Sequence, residues 1–178
     1  MVKLIYGLAK FSNKNYGFGS RPKNFNKKNF LVYISKYFNI FECADRYIGS
    51  SKYISLLKKK KVHFKIDKIP FNKSKKEILN YFLKKIKLYK SNHKVKKIEV
   101  LYIHQNDLKI LRNTKILNTL NILKNKKLVK NFGVSIYSER ELLYVLKNRI
   151  FTYIQLPINI ADSYYFLKYR NKLKGKII

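Results

Sequence analysis

A carboxylate, a phenol, a lysine and a histidine follow apolar runs of this 178-residue chain in order. The run ending "FECADRYIGSSK" delivers Glu42, Asp45 and Tyr47; "VHFKIDKIP" delivers Lys68, with Asp67 beside it; "IEVLYIHQND" delivers His104. Two later runs, "GVSIYS" and "YIQLPINI", deliver Ser135, Gln155 and Asn159. A phenol with an ordinary pKa near 10 is a weak acid at neutral pH. A neighbouring ammonium favours its ionised form, and a carboxylate keeps that ammonium charged and oriented. A histidine can orient or polarise a carbonyl oxygen. Together these groups could hand a proton to a carbonyl that is receiving a hydride. Each residue alone is weak: Tyr47 is one of 15 tyrosines, and a lone histidine after a strand is often structural. Their joint placement carries the argument.

The elements that must position them alternate. Short runs rich in Ile, Val, Tyr and Phe at Leu4–Ala9, Asn39–Ala44, Val62–Ile69, Ile98–His104, Phe132–Ile136 and Tyr153–Ile158 read as strands. Between them lie helical patterns. In "SKKEILNYFLKKIKLY" one apolar stripe holds Ile78, Phe82, Ile86 and Tyr89, and Ser74 with Glu77 forms a capping-box signature. "LNTLNILKNKKLVKN" repeats the pattern, and "SERELLYVLKNR" begins with Ser138 as N-cap and Glu139 and Glu141 in its first turn. "NKKNFLVYISKYFNI" makes the first crossover. Strands alternating with helices at intervals of roughly thirty residues predict one domain, spanning 1–178, built on a parallel sheet covered on both faces. An open doubly wound sheet and an eight-stranded barrel both fit. The dinucleotide-binding form of the first is disfavoured, since no Gly-x-Gly-x-x-Gly follows the first strand. In either architecture functional groups gather at the carboxyl ends of the strands.

Composition excludes several classes. A hydrophobic fraction of 46% argues against disorder, and a single cysteine, Cys43, rules out an internal disulfide or a Cys-rich metal site. No metal is expected. No apolar run approaches the ~18 residues of a membrane span, and the N-terminus lacks a signal-peptide pattern. A cytoplasmic protein without a membrane partner is the expectation. The formal charge is +32, from 41 Lys+Arg against 9 Asp+Glu. Such a charge invites a nucleic-acid reading. Yet the lysines are spread along the chain, and no RNA-motif aromatics or zinc-finger spacings accompany them. Lys, Asn, Ile, Tyr and Phe are over-used together, as an AT-rich coding sequence would produce, so no specific nucleic-acid partner is expected.

The ordered set of motifs resembles the aldo/keto reductase family over essentially the whole chain. "YGLAKFSNKNYGFGS" resembles the family's opening, as in bacterial members linked to sugar pathways; "FECADRYIGSSK" its Asp-Thr-Ala…Tyr-Gly segment; "FKIDKIP" its Thr-Lys strand end. "LYIHQND", "KLVKNFGVSIYSERELL" and "YIQLPINI" resemble the histidine, Gly-Val-Ser-Asn and Gln segments. The resemblance implies a TIM-type (β/α)8 barrel that uses NADPH to reduce an aldehyde or ketone, one linked to a sugar on the hint of the opening motif. By position, Tyr47 would be the proton donor, Lys68 its pKa-lowering partner, His104 the carbonyl-orienting residue and Glu42 the catalytic carboxylate. Ser135 and Gln155 match positions that hold the nicotinamide carboxamide. The chain departs from the pattern in four places. Glu42 stands for aspartate, Ile48 is inserted after Tyr47, and Ile136 stands where an asparagine contacts the cofactor. The chain also stops at "KLKGKII", which predicts an incomplete barrel of about six βα units without strands seven and eight. In the family, those strands carry the ring stacked on the nicotinamide and the grip on the cofactor phosphates. Open sheet edges would then invite self-association. The alternatives are an inactive remnant or interaction protein of the same fold, and, further off, a basic nucleic-acid-binding protein.

Overall fold

The computed structural model describes residues 4–9, 26–45, 47, 51–57, 60–94, 98–105, 107–158 and 161–173. Most of the opening motif, the inserted Ile48, Asn159 and the terminal "KGKII" lie outside them.

Among the described residues six strands form one parallel sheet in chain order: β1 (Ile5–Gly7), β2 (Ile40–Ala44), β3 (Lys61–Ile66), β4 (Ile98–Ile103), β5 (Val129–Ser135) and β6 (Phe151–Gln155). Among the described residues the helices between them are α1 (Lys27–Ile34), α2 (Ser51–Ile54), α3 (Lys75–His93), α4 (Leu108–Leu111), α5 (Thr114–Asn125) and α6 (Glu139–Lys147), and α7 (Tyr164–Leu173) follows β6. Local chemistry starts the helices where the sequence expects it. Ser74 and Glu77 close a capping box on α3, and Ser138 and Glu141 close one on α6. The stripe Ile78, Phe82, Ile86 and Tyr89 is buried, and Phe64 of β3 stacks on Tyr89 at 4.6 Å.

The strand pairing separates two faces. Cys43, Phe64, Leu101 and Phe132 lie in one register row and face the helices, and all four are buried. Cys43 is core filling on this face. The other face carries Glu42, His63, Val100 and Asn131 in one row, then Lys65, Tyr102, Gly133 and Tyr153 in the next, then Ser135 and Gln155. On a flat sheet β2 and β6 would lie about 19 Å apart, four strand spacings. Instead the Gln155 Nε2 donates to Glu42 Oε2 at 2.9 Å. The sheet is therefore curled, and this second face is the inside of an incomplete (β/α) barrel. Of the two architectures that fit the sequence pattern, the barrel is the one observed.

Packing inside the curl depends on one glycine. A Cβ on Gly133 would sit 2.5 Å from Cδ1 and Cε1 of the Tyr102 ring. That ring also meets His63 at 5.9 Å and Tyr153 at 6.3 Å between centroids, so it has little room to move. Gly133→Ala is expected to destabilise the protein by about 1–3 kcal/mol through overpacking. Urea unfolding checks this, and an unchanged midpoint would show that the Tyr102 ring yields freely.

Candidate functional site

The inner face of the curled sheet gathers a polar cluster at its carboxyl-terminal half. Lys65 Nζ lies 2.8 Å from Glu42 Oε1, with the two side chains only 6% and 11% exposed. The other Glu42 oxygen accepts from Gln155, and Gln155 Oε1 accepts from Ser135 Oγ at 2.9 Å. A continuous chain of polar contacts thus runs Lys65, Glu42, Gln155, Ser135 across β3, β2, β6 and β5. Three of its members, Glu42, Ser135 and Gln155, are residues the motifs single out. The fourth is not.

Lys65 escapes a survey of strand ends because it lies inside β3. Its signal in the sequence is parity: in "VHFKID" the polar His63, Lys65 and Asp67 alternate with Phe64 and Ile66, so a polar row faces away from the helix layer. Lys68, the lysine that matches the motif, follows β3 in a loop, with φ 54° and an exposed side chain. Its neighbours pin that loop. The Asp67 N–H donates to Asp45 Oδ2 at 3.3 Å, Tyr81 OH donates to the Asp67 carbonyl, and the Ile69 N–H donates to Gln105 Oε1 at 2.6 Å.

Asp45 is engaged on the helix side of the sheet. It accepts from Tyr89 OH and pairs with Lys85 of α3 at 3.1 Å. It therefore does not stand in for Glu42. Tyr47 is half-buried just past β2, its N–H donating to the Ala44 carbonyl at 2.9 Å. His104 is half-buried just past β4, its N–H donating to the Ile66 carbonyl at 2.9 Å. Both stand at the carboxyl edge of the sheet. Ile136, buried after β5, keeps the ladder going by donating its N–H to the Gln155 carbonyl.

The length of Glu42 suits this arrangement. Its Cα is level with His63, whereas Lys65 is level with Ala44, two residues or about 6.6 Å further along the strand. The extra methylene lets the carboxylate reach Lys65 and Gln155 together. Glu42→Asp is expected to lower the stability by about 1–2 kcal/mol, by loosening two charge-assisted hydrogen bonds, and to lower any turnover with it. A gain in turnover would show instead that the site favours the shorter acid.

Burial sets the protonation of the surrounding rings. Removal from water raises the Tyr102 phenol, and the Glu42 charge raises it further, so it remains a neutral hydroxyl. His63, 2% exposed, lies against Tyr102 and Tyr153, and its Nδ1 meets no hydrogen-bond partner among the described residues. Burial lowers its pKa to about 4; Glu99 opposes the shift and Lys61 adds to it. The unfolded chain takes up this proton near pH 6.5 and the folded chain only near 4. Stability is thus full above 6.5 and falls by about 3 kcal/mol as pH drops through that window. His63→Phe is expected to flatten the decline, checked by urea midpoints at pH 7, 5.5 and 4.5.

Among the described residues no group of His, Cys, Asp and Glu could hold a metal ion, and no helix is long and apolar enough to cross a membrane.

Site and curl together define the protein as an incomplete parallel (β/α) barrel with a polar cluster inside its carboxyl end. Comparison with solved structures finds a similar barrel in several aldo-keto reductases. A Pseudomonas aeruginosa protein named as an aldo-keto reductase, PA4992, superposes with a TM-score of 0.74 at 18% identity, covering 97% of this chain and 70% of its own. The glycerol dehydrogenase AKR11B4 of Gluconobacter oxydans gives 0.69 at 16%, covering 98% and 57%. The aldo-keto reductase AKR11C1 of Bacillus halodurans gives 0.66 at 14%, covering 84% and 52%. The chain spans between half and two-thirds of the length of the last two. No protein-family model matches the sequence, and no curated protein matches it. At these identities the likeness establishes the fold.

Proposed function

We propose that this protein is an oxidoreductase of the aldo/keto reductase type, reducing an aldehyde or ketone with NADPH. The observation that carries the reading is the convergence of Glu42, Gln155 and Ser135 on one hydrogen-bonded chain inside the curl. These three come from separate strands, separated in sequence by as many as 113 residues. A fold alone does not require them to meet.

The residues present fit the cofactor's reactive end. Gln155 and Ser135 set an amide and a hydroxyl side by side, a donor and acceptor pair that matches a carboxamide. When bound, NADPH supplies a hydride to the carbonyl carbon. Tyr47 donates a proton to the carbonyl oxygen, His104 orients that oxygen, and a lysine ammonium held by Glu42 favours the phenolate that Tyr47 becomes. Lys68 takes the lysine's place by motif; Lys65 takes it by contact. The reading supports a small-molecule carbonyl substrate and a cytoplasmic location.

Titration of the purified protein with NADPH tests the reading. Tyrosine emission is the protein signal, since the chain has no tryptophan. Saturable quenching, with a change in the cofactor's own fluorescence, is expected. A folded protein that leaves both signals flat would refute the assignment. It would favour a second reading, a non-catalytic interaction protein of the same fold. One observation supports that second reading: among the described residues β1 and β6 pair with a strand on one side only, and an unpaired strand edge can accept a second copy.

A further inference from the structure

We propose that Lys65, rather than the motif-matched Lys68, is the ammonium of this site, acting as a positioning residue through its ion pair with Glu42. The inference rests on the carbonyl-reductase reading and names the residue that supplies its positive charge. Lys65 sits on the inner row of β3, level with Tyr102 of β4. It is 5% exposed and holds Glu42 at 2.8 Å.

Lys68 is directed elsewhere. The left-handed turn at its own backbone, with Asp67 tied to Asp45 and Tyr81 and Ile69 tied to Gln105, fixes the loop with the Lys68 side chain exposed.

Packing does not require an ion pair at this position, because apolar residues of similar volume are often as stable or more so. What only the pair supplies is a fixed positive charge inside the barrel, with its counter-charge tied to Gln155. Such a charge favours an ionised phenol or a developing alkoxide nearby. It also fixes Glu42, which in turn fixes the Gln155 amide that the cofactor would meet.

The test uses the full chain with NADPH and 4-nitrobenzaldehyde as the probe carbonyl, comparing Lys65→Met, Lys65→Arg and Lys68→Met. Lys65→Met is expected to lower kcat about 100-fold or more, with KM for NADPH changed much less. Lys65→Arg is expected to restore part of the loss, because it restores the charge. Lys68→Met is expected to stay within about twofold of wild type, the range of surface substitutions. The opposite pattern, with the loss at Lys68 and none at Lys65, overturns the proposal.

Should Lys65→Met fold poorly, the Lys65→Met/Glu42→Met double variant decides. It is expected to unfold at higher urea than either single variant, because each single change strands a buried charge. Additive effects would mean that the two side chains do not pair, and would overturn the assignment. A wild-type protein that neither binds NADPH nor turns over the aldehyde refutes the reductase reading itself, and the role of Lys65 falls with it. That outcome is distinct from an active enzyme indifferent to Lys65.

Discussion

Tyr47→Phe is expected to lower kcat for carbonyl reduction by about 10²–10⁴-fold, the share that a positioned proton donor contributes. The change removes one hydroxyl and keeps the ring. Tyr47 is half-buried, and its N–H bonds back to Ala44 at the end of β2. Phenylalanine leaves that bond untouched, so stability by urea unfolding should fall by no more than about 1.5 kcal/mol, the worth of one neutral hydrogen bond. A large kinetic effect without a stability effect separates a chemical role from a packing role. Initial rates with NADPH and an aldehyde at saturating concentrations, beside urea unfolding of both proteins, make the comparison. Retained turnover would remove Tyr47 as the donor. Attention would then pass to Tyr102, whose phenol faces the same interior but is pushed up by burial and by the Glu42 charge. That shift makes it a poorer acid.

Much of the fold was legible because local rules agree with one another. Apolar runs of strand length alternate with amphipathic stripes, and the six strands fall where those runs lie. The capping boxes at Ser74 and Ser138 set the starts of α3 and α6. Boundaries moved where polar residues extend a strand. β5 begins at Val129 rather than Phe132, since Lys130 pairs with Glu99 at 2.8 Å and Asn131 bonds the Glu99 carbonyl. At the other end, β3 stops at Ile66, three residues before the apolar run does.

That last difference bears on the site. Reading the strand through Ile69 makes Lys68 look like a strand-end residue. Once the strand stops at Ile66, the backbone turn at Lys68 decides where its side chain goes. The polar row His63, Lys65, Asp67 was visible as alternation, but alternation does not reveal which face is inside until the curl is known. The meeting of Glu42 with Gln155 was legible only by resemblance. Nothing local joins residues four strands apart; closure of the sheet does.

Glu42→Met tests the interior cluster from the side of the carboxylate, and its expected cost is the largest of any stability change proposed for this protein. The substitution keeps an unbranched chain of similar length, so little volume is lost. It strands two groups. Lys65, 6% exposed at its side chain, would keep an ammonium with no counter-charge, and the Gln155 Nε2 would lose the oxygen it donates to at 2.9 Å. Breaking a buried pair from one side costs about 3–5 kcal/mol, because the remaining charge is left uncompensated. The mutant therefore separates two pictures of the barrel mouth. A loss in that range, by urea unfolding at pH 7, means the inner face excludes water well enough for a fixed charge there to act at full strength on a bound carbonyl. A loss below about 1 kcal/mol is the value of a solvated pair. It would place water beside Lys65 and leave the interior too wet for that charge to matter.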